Sequence, residues 1–163
     1  MLVLLLLIGG VVAVLLFTPL GTRPLAAVFP VADATSLDLS SLERNRKLNQ
    51  FLVCPTGFCP TTPDIQSPEF DLPAEALSRK WPEAVAGQPR VETLETAAPL
   101  RFEHAQRSAR FRFPDRVTVW VIPLSDSRST LAIYSRSIYG LNDLGVNRAR
   151  VETWLAALRA TAS

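Results

Sequence analysis

Histidine and cysteine are scarce in this sequence. Among 163 residues there is one histidine, His104, and there are two cysteines, Cys54 and Cys59. A metal site built on two histidines is therefore excluded within one chain, and so is a site with four thiolate ligands. The sequence also lacks a glycine-rich phosphate-binding loop. We expect neither a resident metal ion nor a cofactor.

A strong excess of positive charge is missing as well. The chain has 17 lysines and arginines against 15 aspartates and glutamates, for a net charge of +2. No stripe of basic residues runs along it, and proteins that bind DNA or RNA need such a surface to neutralise phosphates. We therefore expect no nucleic-acid partner.

Groups suited to catalysis are few. A Ser-His-Asp triad would have to use His104, which follows Phe102 on an alternating strand, where a lone histidine is usually structural or on the surface. A hydrolytic enzyme using Asp115, Asp143 and an arginine is the least favoured of three hypotheses, because acid–base catalysis needs a perturbed pair of groups near a cleft. We predict that the protein is not an enzyme.

The N-terminus is the longest apolar stretch of the chain. Every residue from Leu2 to Phe17 is apolar or glycine, and residues 18–20 extend the run to about 20 residues, enough to cross a ~30 Å hydrocarbon core. The pattern predicts a transmembrane anchor over residues 1–20. A cleaved signal peptide is the alternative, but no basic segment precedes the run, and the nearest small-x-small site, Ala32-Asp33-Ala34, lies well beyond it.

The two cysteines indicate on which side of the membrane the domain lies. Cys54 and Cys59 bracket a tight proline-containing loop that a disulfide would close, and disulfides persist in oxidising compartments. Arg23 and the basic residues within 44–47 weakly favour a cytoplasmic domain instead. We weigh the cysteines more heavily. The localisation predicted is the bacterial inner membrane, as a single-pass protein with a periplasmic domain.

Residues 51–163, after an extended linker over 21–50, carry the patterns of one α+β domain. Leu77, Trp81 and Val85 are spaced as on one face of a helix, which Pro82 is expected to kink or split. A closing helix is predicted by a second apolar stripe, formed by Val151, Trp154, Leu155 and Leu158.

Between the two helices the apolar residues recur at every second position, a period typical of β-strands. Val117, Val119 and Val121 would face one side of a sheet, and the residues between them the other. Short connections between consecutive strands indicate antiparallel pairing. The predicted fold class is therefore α+β: an antiparallel sheet of about four strands covered by two helices in two layers, preceded by one transmembrane helix.

The last third of the chain carries a longer pattern. Residues 135–151 read Ser-Arg-Ser-Ile-Tyr-Gly-Leu-Asn-Asp-Leu-Gly-Val-Asn-Arg-Ala-Arg-Val, which resembles the signature of the bacterial DUF1499 family, a domain of unknown function. Phe113-Pro114-Asp115 is similar to an earlier Phe-x-Asp signature of that family. The cysteine region departs from it, because Phe58-Cys59-Pro60-Thr61-Thr62 stands where many members have Pro-Asn-Cys-Val-Ser-Ser. The resemblance implies a membrane-associated or exported protein and implies no reaction.

The same region concentrates polar residues where a strand ends and a helix begins. A helix N-terminus with added arginines suits a carboxylate, phosphate or lipid headgroup. The alternative is architectural, with Asp143 or Asn142 capping the helix and an arginine pairing with Asp143 or Asp115. The candidate anion site comprises Arg136, Asp143, Asn147, Arg148 and Arg150.

Three hypotheses about function result. The first is a non-enzymatic accessory protein of a larger respiratory or photosynthetic membrane complex, with the lipid bilayer and other integral membrane proteins as partners and Gly9-Gly10 allowing close helix contact. The second is a module that binds a lipid or a small anionic ligand, with Arg136 or Arg148 at the mouth of a cavity between sheet and helix. The third is the hydrolytic enzyme.

Overall fold

The computed structural model describes residues 2–17, 28–31, 37–96 and 98–162. The described α-helices are α1 (Leu2–Phe17), α2 (Ala74–Ala86) and α3 (Val146–Ala162), and a 3₁₀ turn covers Leu39–Ser41. The strands are β1 (Gln50–Cys54), β2 (Ile65–Gln66), β3 (Glu69–Phe70), β4 (Val91–Leu94), β5 (Arg101–Arg107), β6 (Pro114–Ser125) and β7 (Arg128–Ser137).

The seven strands form one mixed sheet. Its spatial order is β2-β1-β7-β6-β5-β4, and β3 pairs with β7 outside this path. β1 and β2 are parallel, whereas the other pairs are antiparallel. The long hairpin of β6 and β7 forms the centre of the sheet, and β4 is an outer strand.

The prediction of an antiparallel, two-layer domain with about four strands was wrong. The sheet has seven strands and is mixed, because β1 and β2 run parallel. β2 and β3 have two residues each and lie in the proline-rich stretch after Cys54, where so short a strand leaves no alternation to detect.

The predicted transmembrane helix and the single-pass inner-membrane localisation with a periplasmic domain were also wrong. Among the described residues, no helix is both long enough and apolar enough to cross a membrane. α1 has 16 residues and therefore rises about 24 Å, which is short of a ~30 Å hydrocarbon core. Residues 18–20 of the predicted span, and residues 21–27 and 32–36 of the predicted linker, lie outside the described residues.

One face of the sheet packs against α2 and α3. Val117, Val119 and Val121 point to this face, as the alternation predicted, and all three are buried. The predicted apolar stripes of both helices are buried against them, and Trp81 of α2 meets Trp154 of α3 edge to face at 6.0 Å between ring centroids. Pro82 lies inside α2 without dividing it. This packing forms the main core.

The opposite face of the sheet carries a second, smaller core. Trp120 and Tyr134 are buried there beneath Leu39 and Leu42, which belong to the chain around the 3₁₀ turn. The predicted disulfide between Cys54 and Cys59 is confirmed, with 6.3 Å between the Cα atoms. The loop that it closes places Phe58 against Trp120, with 5.8 Å between ring centroids. A cross-linked loop therefore covers part of this face.

Candidate functional site

Three of the five residues predicted to bind an anion lie together, between α3 and the sheet. Arg150 donates through Nη2 to the Asp115 carboxylate at 2.5 Å and through Nη1 to the Ser135 hydroxyl at 2.9 Å. Asn147 donates through Nδ2 to the Asn49 carbonyl at 2.9 Å, and its side chain is fully buried. Asp143 caps α3 by accepting from the Asn147 backbone N–H at 2.7 Å. The groups in this corner bond one another rather than facing solvent.

The other two predicted residues lie elsewhere. Arg136 follows Tyr134 on β7 and lies on the sheet face opposite the helices, where burial lowers the pKa of its guanidinium. Arg148 is exposed on α3 and forms an ion pair with Glu152 at 2.9 Å. The structure therefore does not bring the five residues together, and within the described residues neither arginine lines the cavities found between α2 and the sheet.

A cleft does lie between α2 and the β4–β5 hairpin. Its deeper part has a volume of about 300 Å³, and an adjoining, more open part has a volume of about 470 Å³. Thr93 and Phe102 line both parts, so the two parts adjoin at these side chains. The deeper part is lined by Pro82, Val85, Ala86, Gln88, Val91, Thr93, Phe102 and His104. Its walls are therefore largely apolar.

His104 forms the polar floor of the deeper part. Its side chain is 2% exposed, and burial lowers the pKa of the imidazole to about 4. The ring is therefore neutral near pH 7. Trp81 Nε1 donates to His104 Nε2 at 2.9 Å, which places the imidazole proton on Nδ1. Nδ1 lies 3.2 Å from the Thr93 hydroxyl oxygen.

This chain of hydrogen bonds determines whether the Thr93 hydroxyl can donate a hydrogen bond to a ligand. Because His104 Nδ1 carries the proton, the Thr93 oxygen is the acceptor in that contact, and its own hydrogen remains available to donate. The Thr93 side chain is exposed and lines both parts of the cleft. No acceptor for the hydroxyl hydrogen is found among the described residues. The cleft thus presents the directed hydroxyl donor of Thr93 beside largely apolar walls.

Aromatic packing holds this floor in place. The rings of Phe102 and His104 are nearly parallel, with 6.4 Å between centroids, and Trp154 meets His104 edge to face at 5.5 Å. Trp81 fills the space between α2 and these rings and is fully buried. A side chain locked by neighbours on several sides keeps its hydrogen-bonding direction, so the Thr93–His104–Trp81 chain is pre-formed.

The open part of the cleft is bordered by charge. Glu75 and Arg79 lie on the exposed side of α2, next to Ser78. A carboxylate and a guanidinium at the same opening suit a polar ligand end rather than a strongly charged one. In the part of the chain that the structure describes, no group of three or more histidine, cysteine, aspartate and glutamate side chains is placed to hold a metal ion.

The sequence carried part of the signal for this cleft. Phe102 and His104 alternate with Arg101 and Glu103, which put the first two on one face of a strand. The contribution of Thr93 was missed, because it depends on the register that sets Thr93 opposite His104 across β4 and β5. That register arises from long-range packing, and no local motif encodes it.

Comparisons with known proteins give one family and several remote structural similarities, two of which follow. No curated protein matches the chain. A START superfamily protein from Mycobacterium smegmatis is 11% identical, with a TM-score of 0.42 over 60% of this chain and 94% of that one. A crystal structure of a Chromobacterium violaceum protein is 13% identical, with a TM-score of 0.36 over 70% of this chain and 95% of that one.

The family comparison covers most of the domain. The model of the family described as "Protein of unknown function (DUF1499)" matches residues 35–158, from the connector before the 3₁₀ turn to the last buried leucine of α3. The matched range includes the loop and helix start on which the sequence resemblance rested, so that prediction is confirmed. The chain belongs to the DUF1499 family.

Proposed function

We propose that the domain binds a small, mainly apolar molecule that carries a hydrogen-bond acceptor, such as a carbonyl, hydroxyl or carboxylate oxygen. The observation that supports this most is the exposed Thr93 hydroxyl in an apolar cleft, whose oxygen accepts from His104 Nδ1 and whose hydrogen stays available to donate. Ligand sites are typically concave and apolar, with a few directed polar groups.

The dimensions of the cleft limit the ligand. A deeper volume of about 300 Å³ is at the lower end of the range for ligand pockets. The apolar part of the ligand would lie on Phe102 and between Val85 and Val91, and its acceptor would meet the Thr93 hydroxyl. The wider opening near Arg79 and Ser78 would hold any further polar part of the molecule.

The state of the histidine supports a role in binding rather than catalysis. His104 is neutral, and both ring nitrogens are engaged, Nε2 with Trp81 and Nδ1 with Thr93. Such a ring positions a neighbouring hydroxyl but has no free nitrogen to accept a proton from a ligand. The chemistry of the cleft therefore favours recognition.

Fluorescence titration of the full chain with dansylaminoundecanoic acid tests the proposal. Ala86→Phe fills the deeper part of the cleft, and Ala156→Phe, at an exposed alanine of α3, is the matched control. We expect saturable binding that Ala86→Phe abolishes and Ala156→Phe leaves unchanged. Equal binding by both variants would show that the probe lies elsewhere.

A second pair of variants tests the hydroxyl. Thr93→Val removes the donor and keeps the shape, whereas Thr93→Ser keeps the donor. We expect Thr93→Val to weaken binding about fivefold and Thr93→Ser to bind like the wild type, because one neutral hydrogen bond is at stake. If both substitutions weaken binding alike, the hydroxyl does not contact the ligand.

The accessory role in a membrane complex stays a prediction.

A further inference from the structure

The exposed apolar side chains are concentrated at one end of the sheet. Outside α1, nine large apolar residues of the described chain are exposed, and eight of them come from four segments: 28–31, 46–48, 108–113 and 138–146. The ninth, Leu124, lies at the opposite end, next to the β6–β7 turn. We call the four segments the apolar rim.

The topology explains why these segments meet. β5 ends at Arg107 and β6 begins at Pro114, so residues 108–113 form the turn between them. β7 ends beside the start of β6, since Ser137 pairs with Asp115, and residues 138–145 lead from there into α3. The Leu48 backbone N–H donates to the Leu141 carbonyl at 3.1 Å, which attaches residues 46–48 to the same end.

Aromatic contacts join the first segment to the rim. Phe29 packs edge to face against Phe113 and Tyr139, with centroid distances of 4.5 and 5.3 Å. Arg107 Nη1 donates to the Phe29 carbonyl at 2.8 Å. Phe111 continues the group, with 5.8 Å between its ring and that of Phe113, and it is half exposed. The chain that follows α1 therefore reaches the domain at the rim.

Leu144 is the most exposed apolar side chain of the rim, at 90%. It has a φ of +54°, in the left-handed region that L residues rarely adopt. The loop is held in this form because the Asn142 side chain accepts from the Leu144 N–H at 2.8 Å and the Asp143 side chain accepts from the Gly145 N–H at 3.1 Å. A strained backbone that fixes a leucine in solvent indicates a function for the exposed side chain.

Charge around the rim has one predominant sign. The four segments contain four basic residues, Arg46, Lys47, Arg110 and Arg112, and one acidic residue, Asp143, which caps α3. At the opposite end of the sheet the exposed residues include several carboxylates, among them those of Glu69, Glu95 and Asp126. The end of the sheet that carries the apolar rim is therefore also its more basic end.

We propose that the apolar rim docks on the surface of a lipid bilayer containing anionic lipids, with Leu141, Leu144 and Phe111 inserted among the headgroups. Basic residues beside the apolar tips complement the anionic headgroups. The exposed apolar residues come from four chain segments at one end of the sheet. A deformable lipid surface accepts such side chains at different depths, whereas a protein partner needs one complementary surface. The proposal is independent of the ligand-binding cleft, which lies beside α2.

Tryptophan fluorescence of the full chain with vesicles of equal parts phosphatidylcholine and phosphatidylglycerol tests the proposal. The three native tryptophans are buried, so a tryptophan introduced by Leu144→Trp reports on the rim. We expect a blue shift for Leu144→Trp on adding vesicles and none for the matched control Leu124→Trp at the opposite end. The absence of a blue shift for Leu144→Trp would overturn the proposal.

Vesicle flotation supplies the second measurement. We expect Leu141→Gln with Leu144→Gln to weaken binding about tenfold, and Leu124→Gln to leave it unchanged. α1 is the same in every variant, so its own effect on flotation cancels. Equal binding by the rim and control variants would overturn the proposal. Sedimentation velocity gives a second check: a dimer that the rim substitutions dissociate would also overturn it, because the rim would then bind a second copy of the chain.

Discussion

Arg150 on α3 donates to the Asp115 carboxylate on β6, with 2.5 Å between Nη2 and Oδ2, and both side chains are nearly buried. The pair joins the helix layer to the sheet at the end of the domain where α3 begins. Removing one member of a buried pair leaves the other charge uncompensated. The pair therefore bears on the stability of the whole domain.

We expect Arg150→Met to lower the free energy of unfolding by about 3–5 kcal/mol, because the Asp115 carboxylate would lose its charged partner inside the protein. Arg148→Met, two residues away on the same helix, removes an exposed ion pair with Glu152 and a cation–π contact with Phe51 at 5.9 Å, and should change the free energy of unfolding by less than about 1 kcal/mol. Urea denaturation of both variants provides the measurement. Similar losses for the two would contradict the structural role of Arg150.

His104 predicts a dependence of stability on pH. An ordinary histidine takes up a proton near pH 6.5, and His104 in the folded protein does so near 4. Between these values the unfolded chain binds more protons. The free energy of unfolding should therefore fall by about 3 kcal/mol as the pH decreases from about 6.5 to 4. Other groups also titrate in this range, so the contribution of His104 is the difference between the wild type and His104→Gln in the free energy of unfolding at each pH. Parallel curves of this free energy against pH for the two proteins would refute the prediction.

The disulfide predicts a modest effect of reduction. Closing so short a loop stabilises a folded chain by about 2 kcal/mol, since it removes few conformations from the unfolded state. We expect dithiothreitol to lower the free energy of unfolding by that amount. The Cys54→Ala, Cys59→Ser double variant should match the reduced wild type and show no response to the reductant. A response in the double variant would mean that dithiothreitol acts elsewhere.

The sequence predicted those parts of the fold that repeat a local period. The stripes around Trp81 and Trp154 and the alternation from Val117 to Val121 are regular over several residues, and each is buried as expected. β2 and β3 are too short to show a period, and their pairing depends on the course of the proline-rich chain after Cys54. The described part of the apolar N-terminal run, α1, has 16 residues, and no helix of the described residues is long and apolar enough to cross a membrane.

The candidate site shows the same division. Alternation along β7 puts Ile133 and Ser135 on one face of the sheet and Arg136 on the other. The separation of Arg136 from the site residues of α3 could therefore be predicted from the sequence. The cleft could not be predicted, because its lining comes from α2, β4 and β5 and depends on a strand register that is set by packing. Thr93 gains its role only from its position opposite His104.

Methyl NMR spectroscopy of the full chain with decanoate tests the ligand-binding cleft most directly. The account predicts saturable shifts of the methyl groups of Thr93, Val85 and Val91, with the methyl groups of Leu131 in the core and Leu144 on the rim unchanged. Shifts confined to Leu144 and α1, or no saturable shift at Thr93, would contradict it.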